Sequence, residues 1–170
     1  AYWNFPSTDY PWDGGGAGNN WNTADNWSPA GVPGGTDNAT IPDAGGPHTV
    51  TLAQAEVVNN LTIAGTATLD VSGNSFTING TFSNDGTFRL QGGESLTING
   101  NSPPLPADFD TNSGTVVYYG AAGTQSWSAP LAAGSEYFAV SFDDTSDGDD
   151  TWNLGGGVTV NDDLSATAGT

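Results

Sequence analysis

The chain has 170 residues, with 19 acidic groups against the lone base Arg89, no Lys, no Cys and a formal net charge of −18. That balance argues against nucleic acid as a partner, where Lys and Arg must neutralise phosphates, and it disfavours anionic membrane surfaces. The missing Cys rules out disulfides, thiolate metal sites and Cys nucleophiles, and the missing Lys rules out a Schiff base or a Lys general base.

No run of eighteen apolar residues occurs, so no membrane insertion by a helix is expected. The sequence opens on Ala1 without a signal-peptide core, as a processed, exported chain would. Helix is nearly excluded, because 25 Gly and 10 Pro leave few uninterrupted windows, and these residues cost about 1 and 3 kcal/mol in a helix interior. A chain of this length can bury one sizeable core or stack several coils.

Residues 1–12 form an aromatic N-terminal arm carrying Tyr2, Trp3, Phe5, Tyr10 and Trp12, kept extended by Pro6 and Pro11. Such an arm either docks on a neighbouring copy, with those five aromatics as self-assembly contacts, or folds back to plug its own domain. Residues 13–48 follow as a Gly-rich hinge and N-terminal cap, turn-rich and strand-poor, anchored by Trp21, Trp27 and Ile41. A stack of coils needs a cap, because an open first coil exposes a strand edge. His48, the sole histidine, sits at the cap's edge and reads as structural or exposed; two-His metal sites are impossible.

From Thr49 to Thr170 the pattern changes. Ser75-Phe76-Thr77-Ile78-Asn79-Gly80 recurs twenty residues later as Ser95-Leu96-Thr97-Ile98-Asn99-Gly100. Period-two alternation suits a strand with one buried face, and Asn-Gly suits a tight corner. A strand-plus-corner unit returning every 20 residues or so is the mark of a β-solenoid. Strands are predicted at Thr49–Leu52, Val57–Ile63, Ala67–Val71, Ser75–Ile78, Thr81–Phe82, Thr87–Leu90 and Ser95–Ile98, with corners that include Asn59-Asn60, Gly73-Asn74 and Asn84-Asp85-Gly86. The expected buried stack comprises Val50, Leu52, Leu61, Ile63, Leu69, Val71, Phe76, Ile78, Phe88, Leu90, Leu96 and Ile98. Residues Asn101–Asp110, with three prolines, read as a projecting loop. Strands resume at Thr115–Tyr119, Gln125–Ser128, Tyr137–Phe142, Thr151–Leu154 and Val158–Val160.

The predicted fold is therefore all-β: a right-handed parallel β-helix with an N-terminal cap, a β-sandwich being the alternative. The two separate on one contact. In the solenoid Phe76 lies beside Leu96, and Ile78 beside Ile98.

Candidate sites are few. Asp143, Asp144, Asp147, Asp149 and Asp150 crowd eight residues around a Gly turn and offer hard oxygen ligands for calcium; a solvated hairpin tip is the plainer reading. Tyr118, Tyr119 and Trp127 are candidates for stacking on sugars, and adjacent strand residues face opposite ways, so one Tyr must face out. Sequons stand at Asn26, Asn38, Asn60 and Asn79. Arg89 alone could abstract a proton in a lyase-like reaction, but its place between Phe88 and Leu90 points it outward. No cofactor is required by any motif.

The stretches Trp12-Asp13-Gly14-Gly15-Gly16, Trp21-Asn22-Thr23-Ala24-Asp25-Asn26-Trp27-Ser28-Pro29, Thr36-Asp37-Asn38-Ala39-Thr40-Ile41, Asn60-Leu61-Thr62-Ile63 and Gly114-Thr115-Val116-Val117-Tyr118-Tyr119-Gly120 resemble the repeats of large bacterial exoproteins, of the autotransporter-passenger and filamentous-haemagglutinin type. The resemblance implies an extracellular or cell-surface β-helix acting in adhesion or as a scaffold. Such proteins are usually far longer and often carry a secretion or anchoring domain. The expected function is a non-catalytic structural or adhesive solenoid, or a filament subunit whose partners are copies of itself end to end. The alternatives are a carbohydrate-binding module for surface glycans and a β-helix polysaccharide-active enzyme.

Overall fold

A computed structural model describes residues 6–99, 109–111, 113–120, 126–128, 136–144, 151–153 and 158–168. A short strand, β1 (Asp9–Pro11), comes first. The chain then coils through β2 (Asn38–Ile41), β3 (Thr49–Thr51) and β4 (Glu56–Val58). A second coil takes β5 (Asn60–Ile63), β6 (Thr68–Asp70) and β7 (Phe76–Ile78). The third takes β8 (Phe82–Asn84), β9 (Thr87–Leu90) and β10 (Ser95–Asn99). Later strands are β11 (Phe109–Thr111), β12 (Thr115–Tyr119), β13 (Ser126–Ser128), β14 (Glu136–Tyr137), β15 (Ala139–Asp144), β16 (Thr151–Asn153), β17 (Thr159–Val160) and β18 (Leu164–Ala168).

Each coil visits three sheets in the same order. The first sheet runs β1-β2-β5-β8, the second β3-β6-β9-β11, and the third β4-β7-β10-β12-β15-β18, while β13 pairs β16 and β14 pairs β17. All pairings between these strands are parallel, with Leu96 opposite Phe76 and Ile98 opposite Ile78. The fold is a β-solenoid, and the antiparallel sandwich is excluded.

Register turns the sequence alternation into columns of side chains. Phe76, Leu96, Val116 and Val140 stack in one column, and Val58, Ile78, Ile98, Tyr118 and Phe142 in the next. On the other faces Ala39, Leu61 and Phe82 align, as do Val50, Leu69 and Phe88. All twelve residues expected in the stack are buried, each contributing about 1.5–3 kcal/mol. Phe88 meets Phe76 and Phe82 edge to face, with centroids 6.1 and 5.8 Å apart.

Corners are held by side-chain amides. Asn59 and Asn60 both donate to Asn38 Oδ1, at 3.0 and 2.7 Å, and Asn99 donates to Asn79 at 2.8 Å. Gly86 permits a close approach, since a Cβ there would sit 2.8 Å from Ile63 Cγ2 and against the Ala67 carbonyl.

The structure departs from the sequence reading in four places. The first solenoid strand is β2, inside the segment read as cap; Ala39 gives too weak an apolar signal amid the flanking Gly and Pro. Val57–Ile63 is two strands, broken at Asn59. β11 begins at Phe109, in the last two residues of the segment read as a projecting loop. Asn84, read as a corner, ends β8 and is buried.

The cap covers the start of all three sheets. β1 pairs with β2, and Trp12 N–H donates to the Thr40 carbonyl at 2.8 Å. Trp21 N–H donates to the Thr51 carbonyl of β3 at 2.9 Å, and Asn22 bonds Glu56 at the head of β4. Trp12, Trp21 and Trp27 are buried together. Trp27 meets Trp12 at 5.1 Å and Trp21 at 4.6 Å, and Trp21 reaches Phe76 at 5.3 Å. Aromatic rings carried by turns thus seal the end of the column that strands build.

Candidate functional site

The predicted site residues divide by where the fold puts them. Within the N-terminal arm, Tyr10 packs on the core and Trp12 is buried in the cap. Residues 9–12 fold back on their own chain, so Trp12 is corrected from a contact with a neighbour to a contact within the domain, while Tyr10 is half-buried against the core. The reason is the unpaired edge of β2, which β1 fills. Tyr2, Trp3 and Phe5 lie outside the described residues.

Tyr118 points inward. Its ring stacks on Phe142 at 5.7 Å, and its hydroxyl lies 3.5 Å from that of Tyr137. Burial, with the Tyr137 hydroxyl beside it, pushes the Tyr118 phenol well above its ordinary pKa. Tyr118 is therefore removed from any sugar-facing surface, while Tyr119, next along the strand, faces out and is partly exposed. Trp127 lies on β13 in register with Trp152; its side chain is outside the described residues.

Among the acidic run, Asp143 and Asp144 close β15, Asp143 half-buried and Asp144 buried. Asp147, Asp149 and Asp150 fall outside the described residues. Among the described residues no group of three His, Asp or Glu could hold a metal ion.

Arg89 points outward between buried Phe88 and Leu90, and pairs with Asp70 at 3.4 Å. Asp70 lines a surface groove of about 400 Å³ together with Ser72, Gln91, Gly92 and Glu94. Both of its carboxylates are committed to the corner. Asp70 Oδ1 accepts from the Ser72 amide and hydroxyl at 2.8 and 3.0 Å, and buried Glu94 accepts from the Gln91 amide at 2.8 Å and from the Gly92 amide. This is a turn lock, built from groups a catalytic pair would need free.

A second cleft of about 400 Å³ lies beside the cap, walled by Trp12, Asp13, Asn19, His48 and Thr49. His48 is half-buried, its Nε2 3.3 Å from the Ala44 carbonyl. Asp13 Oδ1 accepts the Gly15 amide at 2.9 Å. Nearby, Asp43 accepts from the Thr66 hydroxyl and amide at 2.5 and 3.1 Å, which lowers its pKa.

The sequons also separate. Asn26 is fully buried, its amide tying Gly16, Gly18 and Asn20 into the cap. Asn38 and Asn60 belong to the corner ladder, and Asn79 is exposed.

Among the described residues the third sheet has the most strands, six, and so the widest regular outer face. Across β7 with its flanking residues, β10 and β12 its outward positions are Ser75, Thr77, Asn79; Ser95, Thr97, Asn99; and Thr115, Val117, Tyr119. None of the nine is charged. Ser75 and Ser95 hydroxyls lie 3.1 Å apart. In the sequence this array occupies the small polar positions that alternate with the apolar ones.

Residues 11–154 match the family described as Domain of unknown function (DUF8693). The chain belongs to that family. No curated protein and no solved structure matches it. The DUF8693 match takes in the cap from Pro11 onward and the coils through β16, so cap and stack are one unit of the family.

Proposed function

We propose that this DUF8693 domain is a non-catalytic structural solenoid of the cell exterior, a stiff spacer whose flat sides serve adhesion. The observation that carries the reading is the unbroken interior. Cap and coils share one apolar cluster, from Trp12 to Phe142, and rungs stacked at about 4.8 Å make a rigid body. The likeness of its repeats to bacterial exoproteins supports an exported scaffold, and net charge keeps such a rod soluble. The commitment of Arg89, Asp70 and Glu94 to corner contacts favours a scaffold over a β-helix polysaccharide-active enzyme.

Two assays test it together. Negative-stain images should show short rods, and purified protein should leave neutral and acidic polysaccharides uncut. Reducing ends released in proportion to protein would overturn the reading. The filament form of the proposal rests on residues 1–5 or on the edge of β18 joining copies. It predicts rods that lengthen with concentration, and a constant mass in light scattering would refute it.

A further inference from the structure

We infer that the outer face of β7, β10 and β12 binds an extended, neutral polysaccharide chain. The inference rests on the adhesive reading above and names the class of ligand. Three observations carry it.

The first is charge. The chain holds 19 carboxylates, yet the central outward column, Val57, Thr77, Thr97, Val117, Ser141 and Ser165, has none. Acidic groups enter this face only from the next strand on, as Asp143 on β15 in register with Tyr119 and Asp163 ahead of β18. An uncharged patch within a strongly anionic molecule can admit a neutral polymer, whereas the surrounding field repels a uronate-bearing one.

The second is chemistry and spacing. Eight of the nine positions carry a hydroxyl, amide or phenol. Strands repeat at about 4.8 Å and alternate residues along a strand at about 6.6 Å. A sugar unit in an extended β-linked chain advances by close to one strand spacing. A chain laid along the stack therefore meets a Ser, Thr or Asn once per sugar. Tyr119, at the end of the Asn79–Asn99 column, adds a ring that can face a sugar's apolar side.

The third is area. The nine positions span a few hundred Å² by strand geometry, below the roughly 800 Å² per partner of a standard protein interface. A second copy is thus poorly served by this face, and a narrow chain is well served.

The test is affinity electrophoresis of the full chain through gels holding hydroxyethyl cellulose (a neutral β-1,4-glucan) or polygalacturonate. Retardation by the neutral polymer is expected, weakened at least tenfold by Thr97→Glu and by Tyr119→Ala. Ser83→Glu, on the first sheet's exposed outer face, should leave it unchanged. Circular dichroism and thermal unfolding establish that each variant is folded; should Thr97→Glu fail to fold, Tyr119→Ala decides. Four results would overturn the inference: no retardation by the neutral glucan, equal retardation by polygalacturonate, retention in the folded variants, or equal loss in Ser83→Glu. Freezing-point hysteresis without glucan retardation would overturn it too, by assigning the array to ordered water. Rods that cut no polysaccharide and bind none would leave the scaffold standing and remove the ligand alone.

Discussion

Asn84 is the sharpest quantitative test of how the stack is held. It occupies the place of a third isoleucine: Ile41 lies opposite Ile63, and Ile63 opposite Asn84. It is 1% exposed, and neither Nδ2 nor Oδ1 has a hydrogen-bond partner. An unsatisfied buried polar group costs about 1–3 kcal/mol, and Asn84 has two such atoms. Asn84→Leu removes both and restores the apolar column. Slight overpacking takes back about 1 kcal/mol. A net gain of about 1–2 kcal/mol is expected, which for 170 residues raises Tm by roughly 3–6 °C.

The assay is urea unfolding followed by circular dichroism and by Trp fluorescence. Stacked coils need not melt as one unit, so the two probes must coincide before a free energy is quoted. A shift in midpoint at constant m reports stability alone. Loss of more than about 1 kcal/mol in Asn84→Leu, at unchanged m, would refute the reasoning by showing that the amide has partners worth more than its desolvation. Asn84→Asp supplies the opposite arm. A carboxylate there must be neutral or unfold the coil, so this variant should be weakest above pH 5 and recover toward acid.

Three further outcomes are expected. Gly86→Ala should cost at least 1–3 kcal/mol in urea unfolding, because its Cβ meets Ile63 and the Ala67 carbonyl and the backbone must shift. Trp21→Ala should cost about 3–5 kcal/mol and increase dye binding to exposed apolar surface, since Trp21 closes the Phe76 column. Tyr118 is neutral in the folded state well above pH 10, whereas an unfolded tyrosine ionises near 10. Above that pH the unfolded chain holds fewer protons, so stability falls as pH rises. Tyr118→Phe should flatten this alkaline loss in thermal melts from pH 9 to 12 while changing little at pH 7.

The repeat was legible because it was redundant. Phe76-Thr77-Ile78 and Leu96-Thr97-Ile98 predicted both the strands and their register, since a one-residue slip would turn every apolar side chain to water. Strands with weak apolar content were not legible. Asn38–Ile41 buries Ala39 and Ile41, but its neighbours Pro33, Gly34, Gly35 and Pro42 read as turn. Phe109–Thr111 was hidden by the prolines before it. Asn84 escaped because Asn-Asp-Gly signals a corner, and local turn chemistry yields here to the sheet register. Of the candidate site residues, alternation placed Tyr118 and Tyr119 on opposite faces, but which one faced inward needed the column. The fate of Trp12 was a tertiary matter: the open edge of β2 and the ring of Trp27 decide it, and neither is near in sequence.

Arg89 draws the charge and fold arguments together. In the second sheet the register sets Asp70, Arg89 and Asp110 at matched positions on three successive strands. Like charges stacked on adjacent strands, about 4.8 Å apart, would repel by roughly 1 kcal/mol even at the dielectric of water. Elsewhere the chain avoids this by keeping Asp13, Asp37, Asp43 and Asp85 in the cap and at corners. Here its one base pairs with Asp70. The partly exposed pair with Asp70 is worth little on its own, within about 1 kcal/mol. A lyase would need that guanidinium free in a cleft; a scaffold needs it where the register puts it. The same logic explains the uncharged central column on the outer face of the third sheet. A column of six strands has no room for stacked carboxylates without a base for each, and this sequence has none left to give.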